Sequence, residues 1–113
     1  MTPKPLERDI EKRIRAYAVS RGCQFEKFVS PAKRGVADRV IIAPGGAVGW
    51  LEIKRPGAKP TELQMARLNE KLELGCNASW CDNVTDGCKF VDSLVAEGAR
   101  RKWEMKPLAK TTV

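Results

Sequence analysis

The chain has 113 residues, a length typical of one domain and sufficient to close a hydrophobic core without disulfide or metal staples. Its 21 Lys and Arg outnumber its 14 Asp and Glu, for a net charge of +7 and an isoelectric point near 9.5, which favours a polyanionic partner such as nucleic acid over an anionic membrane surface. There is no histidine, which excludes Ser-His-Asp and Cys-His catalysis, and no apolar run approaches the roughly 20 residues of a membrane span. The N-terminus lacks the apolar core of a signal peptide, so a cytoplasmic protein with reduced thiols is expected. Cys76, Cys81 and Cys88 do not match paired C-x2-C zinc knuckles.

In chain order, Leu6, Ile10, Ile14, Tyr17 and Ala18 recur at helical spacing, and Gly22 follows, which predicts an amphipathic helix over residues 5–21 with Pro3 and Pro5 at its start. Residues 24–29 carry enough aromatic and β-branched side chains for a short strand. Ser30 to Gly35 reads as a loop, and Ala37 to Ala43 as a Val/Ile-rich strand. Pro44-Gly45-Gly46 turns the chain back into a second strand, Ala47 to Lys54. After a loop over residues 55–60, Thr61-Glu62-Leu63-Gln64 fits the capping box that opens a helix, which Gly75 stops. A strand over residues 76–82 and a helix over residues 84–97 follow. The order αβββαβα implies an α/β fold, a mixed sheet flanked by helices, with one domain over residues 1–98 and a basic tail over residues 99–113.

The chemistry gathers on the hairpin. Strand side chains alternate, so Glu52 and Lys54 share one face while Leu51 and Ile53 share the other. Asp38 begins the neighbouring strand, where its carboxylate can approach Glu52. Two close carboxylates repel unless a cation lies between them, and oxygen ligands suit Mg²⁺ or Mn²⁺. Such a cation acidifies bound water and polarises a phosphate, and Lys54 offers an ammonium to the charge that develops. This combination points to phosphodiester hydrolysis of DNA. Lys33, Arg34, Arg39 and Lys59 flank the site and suit phosphate contacts. Trp50 lies on the Glu52 face, as a stacking platform or a packed edge aromatic, and Trp80 and Phe90 read as core.

These residues resemble the PD-(D/E)xK nuclease superfamily, in its virus-type replication-repair nuclease (VRR-NUC) branch, from the first helix to about residue 92. The resemblance rests on the acidic residues of the first helix, the loop Ser30-Pro31-Ala32-Lys33-Arg34-Gly35, the Asp38 strand, Glu52-Ile53-Lys54, the exit Lys54-Arg55-Pro56-Gly57, and Gln64. It implies a restriction-endonuclease-like core in which Asp38, Glu52 and the Ile53 carbonyl hold Mg²⁺ or Mn²⁺ and Lys54 is catalytic. It also implies a glutamate of the first helix, Glu11 or Glu7, completing the site through water, and Gln64 orienting Lys54 or a phosphate. Structure-selective cutting of branched, flap or junction DNA, a homodimer and a phage source are further implications. Ala37 stands where members of the family commonly carry proline, which alters the turn before Asp38 without removing a ligand.

Plainer readings compete at each position. Glu52 and Lys54 on an isolated strand would be a solvated face. Gln64 is explained by the capping box alone, and Glu7 and Glu11 suit a helix N-terminus, with Glu11 one turn from Arg15. The runner-up for the whole chain is a non-catalytic DNA-binding or nuclease-accessory module of the same fold, and the third reading is a zinc-stapled protein.

Overall fold

The computed structural model describes residues 6–30, 32–35 and 39–109. Pro3 and Pro5, Pro31, and the segment that carries Ala37 and Asp38 lie outside them, so the expectations placed on those residues stay with the sequence. The elements are α1 (Glu7–Ser20), β1 (Gln24–Lys27), β2 (Arg39–Ile42), β3 (Val48–Ile53), α2 (Glu62–Glu73), β4 (Asn77–Cys81) and α3 (Val84–Arg100), in the order αβββαβα expected. They form one four-stranded mixed sheet in the order β1-β2-β3-β4. β1, β2 and β3 are antiparallel neighbours, and β3 and β4 are parallel, which requires a crossover that α2 supplies.

The β2–β3 hairpin closes through Pro44 and Gly45, which occupy the two central positions of a turn held by Gly46 N–H donating to the Ala43 carbonyl at 2.9 Å. The second central position needs a positive φ, and Gly45 supplies it at +88°. Gly45 also lies against Gly98 of α3: a Cβ on Gly98 would stand 1.9 Å from the Pro44 carbonyl oxygen. This contact explains why α3 runs to Arg100, three residues beyond the sequence expectation of 97. Gly98 is there for close approach and does not end the helix. Residues 102–109 have no regular structure, and Trp103, Met105 and Leu108 among them are exposed.

Alternation along β3 sorts the layers. A Cβ on Gly49 would meet Phe90 and Leu94 of α3, and Leu51 and Ile53 share that side in a core with Ile10, Ile14 and Ala18 of α1 and Val91 of α3. Burying each of the Ile, Leu and Val side chains here stabilises the fold by about 1.5–3 kcal/mol. Gly87 of α3 lets this layer close, since a Cβ there would fall 2.2 Å from Ile14 Cδ1. The even residues of β3, Trp50 and Glu52, face α2 instead, where they meet Lys71 and Gln64. Trp80, read as core from the sequence, is the register partner of Glu52 and lies part-buried on that side, outside the apolar cluster.

Candidate active site

Glu52 lies one residue from the carboxyl end of β3, beside the end of the parallel strand β4, which is the edge where open α/β sheets collect ligands. Its side chain is 2% exposed, and it is the one buried charged residue among the described residues. The strand face that carries it is therefore roofed by α2 and is not a solvated surface. Glu52 Oε1 accepts a hydrogen bond from Gln64 Nε2 at 3.0 Å and lies 3.4 Å from Lys54 Nζ. Lys54 follows the last residue of β3, and its backbone N–H donates to the Cys81 carbonyl at 2.8 Å, which fixes the base of the side chain. The lysine is 17% exposed, so its ammonium reaches the surface from a buried carboxylate.

Gln64 reconciles its two sequence readings. Its amide oxygen accepts from the Thr61 N–H at 2.9 Å, and Thr61 Oγ1 accepts from the Gln64 N–H at 3.1 Å, the reciprocal pair of a capping box. The amide nitrogen of the same side chain remains to donate to Glu52. A cap that starts α2 thus also orients the buried carboxylate.

Other site candidates fall elsewhere. Glu11, on α1, accepts from Arg39 Nε at 3.1 Å, and both side chains are just over four-fifths buried. The register pairs Arg39 with Leu51, so this ion pair stands on the α1 side of the sheet, away from the face of Glu52. Arg39, read as a phosphate ligand, is thus held by Glu11 inside the fold. Glu7 is exposed one turn earlier, and Lys59 is exposed on the loop after β3. Ile53 is buried in register with Cys81. Asp38 lies outside the described residues.

A set of contacts that sequence reasoning missed ties the 32–35 turn to α2. Arg67 Nε donates to the Arg34 carbonyl at 3.1 Å, and Arg67 Nη1 and Lys33 Nζ meet the Glu70 carboxylate at 2.8 and 3.4 Å. Desolvation acts to raise the Glu70 pKa, but hydrogen bonds from Lys33 and Arg67 outweigh it and hold the carboxyl below its ordinary value. Gly35, at φ +78°, lies against Leu63, where a Cβ would come 2.7 Å from Leu63 Cγ. In the sequence these α2 residues look like an ordinary solvated helix face, and no local signal distinguishes them.

Trp50 packs with Phe28 in a T-shaped contact at 5.0 Å, and Lys71 Nζ sits 4.8 Å above its ring, so it is a packed aromatic of this face. All four cysteines are free thiols. Burial pushes the Cys81 thiol up to about 11 and raises Cys23 and Cys88 as well. Among the described residues no three His, Cys, Asp or Glu side chains gather at one point.

A mixed sheet with a buried glutamate and a lysine at the carboxyl end of its central parallel strand, flanked by helices, defines a restriction-endonuclease-like α/β domain. Comparison with known proteins narrows that class. No protein-family model matches the chain. Over 69 residues, 61% of this chain and 74% of the relative, it is 39% identical to a protein named "Putative nuclease p44" from Acyrthosiphon pisum secondary endosymbiont phage 1. A solved structure described as a VRR_NUC domain superposes with a TM-score of 0.70 at 20% identity, covering 76% of this chain and 94% of that one. A second, a VRR_NUC domain protein, gives 0.68 at 14% identity over 83% and 91%. The chain belongs to the same family as this phage protein named a putative nuclease, and its fold is that of VRR_NUC domains.

Proposed function

We propose that this protein is a metal-dependent DNA endonuclease that hydrolyses phosphodiester bonds, selecting branched, flap or junction DNA. The observation that carries the reading is the buried Glu52 carboxylate, held between Lys54 and Gln64 at the carboxyl end of β3. A carboxylate withdrawn from water costs several kcal/mol, and a fold keeps one where its charge has work to do.

The donor chemistry fits a hard cation. Glu52, Asp38 and the Ile53 carbonyl offer oxygen, there is no histidine, and the buried thiols are protonated at neutral pH and poor ligands. Mg²⁺ or Mn²⁺ held by these oxygens would supply Lewis acidity toward a phosphate and acidify a bound water. The chain's own residues do the positioning. Gln64 fixes the rotamer of Glu52 through one amide while capping α2 with the other end. Lys54, anchored by its backbone and 3.4 Å from Glu52, places a positive charge where negative charge grows on a scissile phosphate. Glu11 and Glu7 remain candidates for a water-mediated contact from α1, with Glu11 positioned by Arg39. Lys33, Arg34 and Lys59 contribute the electrostatic attraction to the DNA backbone. Two copies related by a two-fold axis would offer paired sites to a four-way junction, in keeping with the homodimers that the family resemblance implies.

The test is cleavage of plasmid, flap and four-way-junction DNA in Mg²⁺ or Mn²⁺ by the wild type, Asp38→Ala and Lys54→Ala. Wild type cuts, branched substrates before plasmid, and each substitution lowers the rate by about a hundredfold to a thousandfold. Cleavage that survives both substitutions contradicts the assignment.

A further inference from the structure

We propose that the groove between the exit of β1 and the 32–35 turn seats an unpaired strand of DNA, with a base on Phe28 and phosphates on Lys33 and Arg34. The inference rests on the nuclease reading above and names the part of the substrate that the site selects. The groove has a volume of about 460 Å³, and Lys27, Phe28, Val29, Lys33, Arg34 and Gly35 line it. That is room for a nucleotide. Three of these residues are cations, and none of the described lining residues is acidic.

Phe28 directly follows β1, on the side of the sheet that faces α2, where it meets Trp50. The rings are nearly perpendicular, at 86°, so they do not stack face to face, and Phe28 remains 37% exposed beside Val29 at 68%. An exposed aromatic ring rimmed by cations is the combination that binds single strands, because every unpaired base presents a face to stack on while the cations take the backbone. Bases within a duplex have no free face, so the ring distinguishes a flap or a frayed arm from intact DNA.

The groove leads to the reacting end of the sheet. Its Gly35 wall abuts Leu63, and the next residue of α2, Gln64, holds Glu52. The turn is fixed on α2 by Arg67 through the Arg34 carbonyl, so its two cations, Lys33 and Arg34, are placed before any strand arrives. Lys33 meanwhile pairs with Glu70, whose carboxylate occupies the position a phosphate would take. A bound strand displaces Glu70 from Lys33, which makes Glu70 an internal competitor.

Fluorescence anisotropy with a short labelled oligo-dT and a blunt duplex of equal length, in EDTA so that nothing is cut, tests the groove. Wild type binds oligo-dT more tightly than the duplex. Phe28→Ala weakens oligo-dT binding about tenfold and leaves the duplex within about twofold, while Phe28→Trp preserves both. Lys33→Ala lowers the salt dependence of oligo-dT binding by about one ion, and Glu70→Gln tightens binding severalfold. Equal binding of the two DNAs, or loss of both to the same degree in Phe28→Ala, overturns the proposal. If Phe28→Ala does not fold, by circular dichroism, Phe28→Trp and Glu70→Gln decide, and weaker oligo-dT binding in both overturns it. Wild-type cleavage in Mg²⁺ is scored separately. Selective binding without cutting overturns the nuclease reading alone, and cutting that is indifferent to Phe28 overturns the groove alone.

Discussion

Toward α1 and α3 the sheet buries Ile41, Leu51 and Ile53 against Ile10, Ile14, Val91 and Leu94, and apart from the largely buried Glu11–Arg39 pair its polar contacts stay at the rim. There Tyr17 donates to Asp92 at 2.5 Å and Arg21 pairs with the same carboxylate, which fastens the end of α1 to α3. Toward α2 the same strands present Trp50 and Glu52, and the most deeply buried position on that side is a carboxylate. One face is filled for stability by apolar volume and close glycine contacts. The other accepts a buried charge and meets it with Gln64, borrowed from a helix cap, and with Lys54 at the strand exit. The contrast agrees with the proposed site, at the strand end where one helix, α2, touches both the buried acid and the turn that precedes the Asp38 segment.

Changes to the apolar side chains and close-packed glycines of the first face therefore alter stability and leave cleavage per folded molecule intact. Gly98→Ala should produce the largest such loss, because its Cβ would overlap the Pro44 carbonyl and both partners are backbone. We expect about 2–3 kcal/mol, read as a lower urea midpoint, with the specific activity of the folded fraction unchanged. Gln64→Ala sharpens the comparison at the residue that serves both purposes. It removes half of a capping box and the donor to Glu52, so stability falls by about 1–2 kcal/mol and cleavage falls with it by about tenfold, measured on the same preparation. A loss of stability without a loss of cleavage would make Gln64 a cap only.

The smallest effect concerns Cys81, which faces Ile14 and Gly87 in the apolar layer. Burial raises its native pKa to about 11 from an ordinary 9.0, so the native state holds this proton more tightly than the unfolded chain does. Its contribution is fully present below pH 9 and is lost as pH rises through about 11. Urea midpoints should therefore decline over that window, and Cys81→Ala should flatten the decline. An undiminished slope in the variant would assign it to other groups.

Much of this was legible in the chain. The αβββαβα order follows from hydrophobic period and turn residues, and alternation alone puts Glu52 with Lys54 and opposite Leu51 and Ile53. Thr61 and Gln64 announce the start of α2. What sequence could not supply were partners far apart along the chain. Glu11 pairs with Arg39, 28 residues on, although both read separately as site residues, and Tyr17 finds Asp92 75 residues away. Gly98 looks like a helix stop until the hairpin turn that lies against it is seen. The ties from Arg67 and Glu70 to the 32–35 turn were hidden for the same reason: charged residues at helical spacing on a surface carry no mark of what they touch.

The most direct test of the division between the faces is Glu52→Gln, which keeps the shape of the buried side chain and removes its charge. Plasmid nicking in Mn²⁺ and the urea midpoint are measured on the same sample. The expected midpoint corresponds to less than about 1 kcal/mol of change, with nicking reduced by about a hundredfold or more. Nicking at the wild-type rate by a folded Glu52→Gln protein would contradict that division.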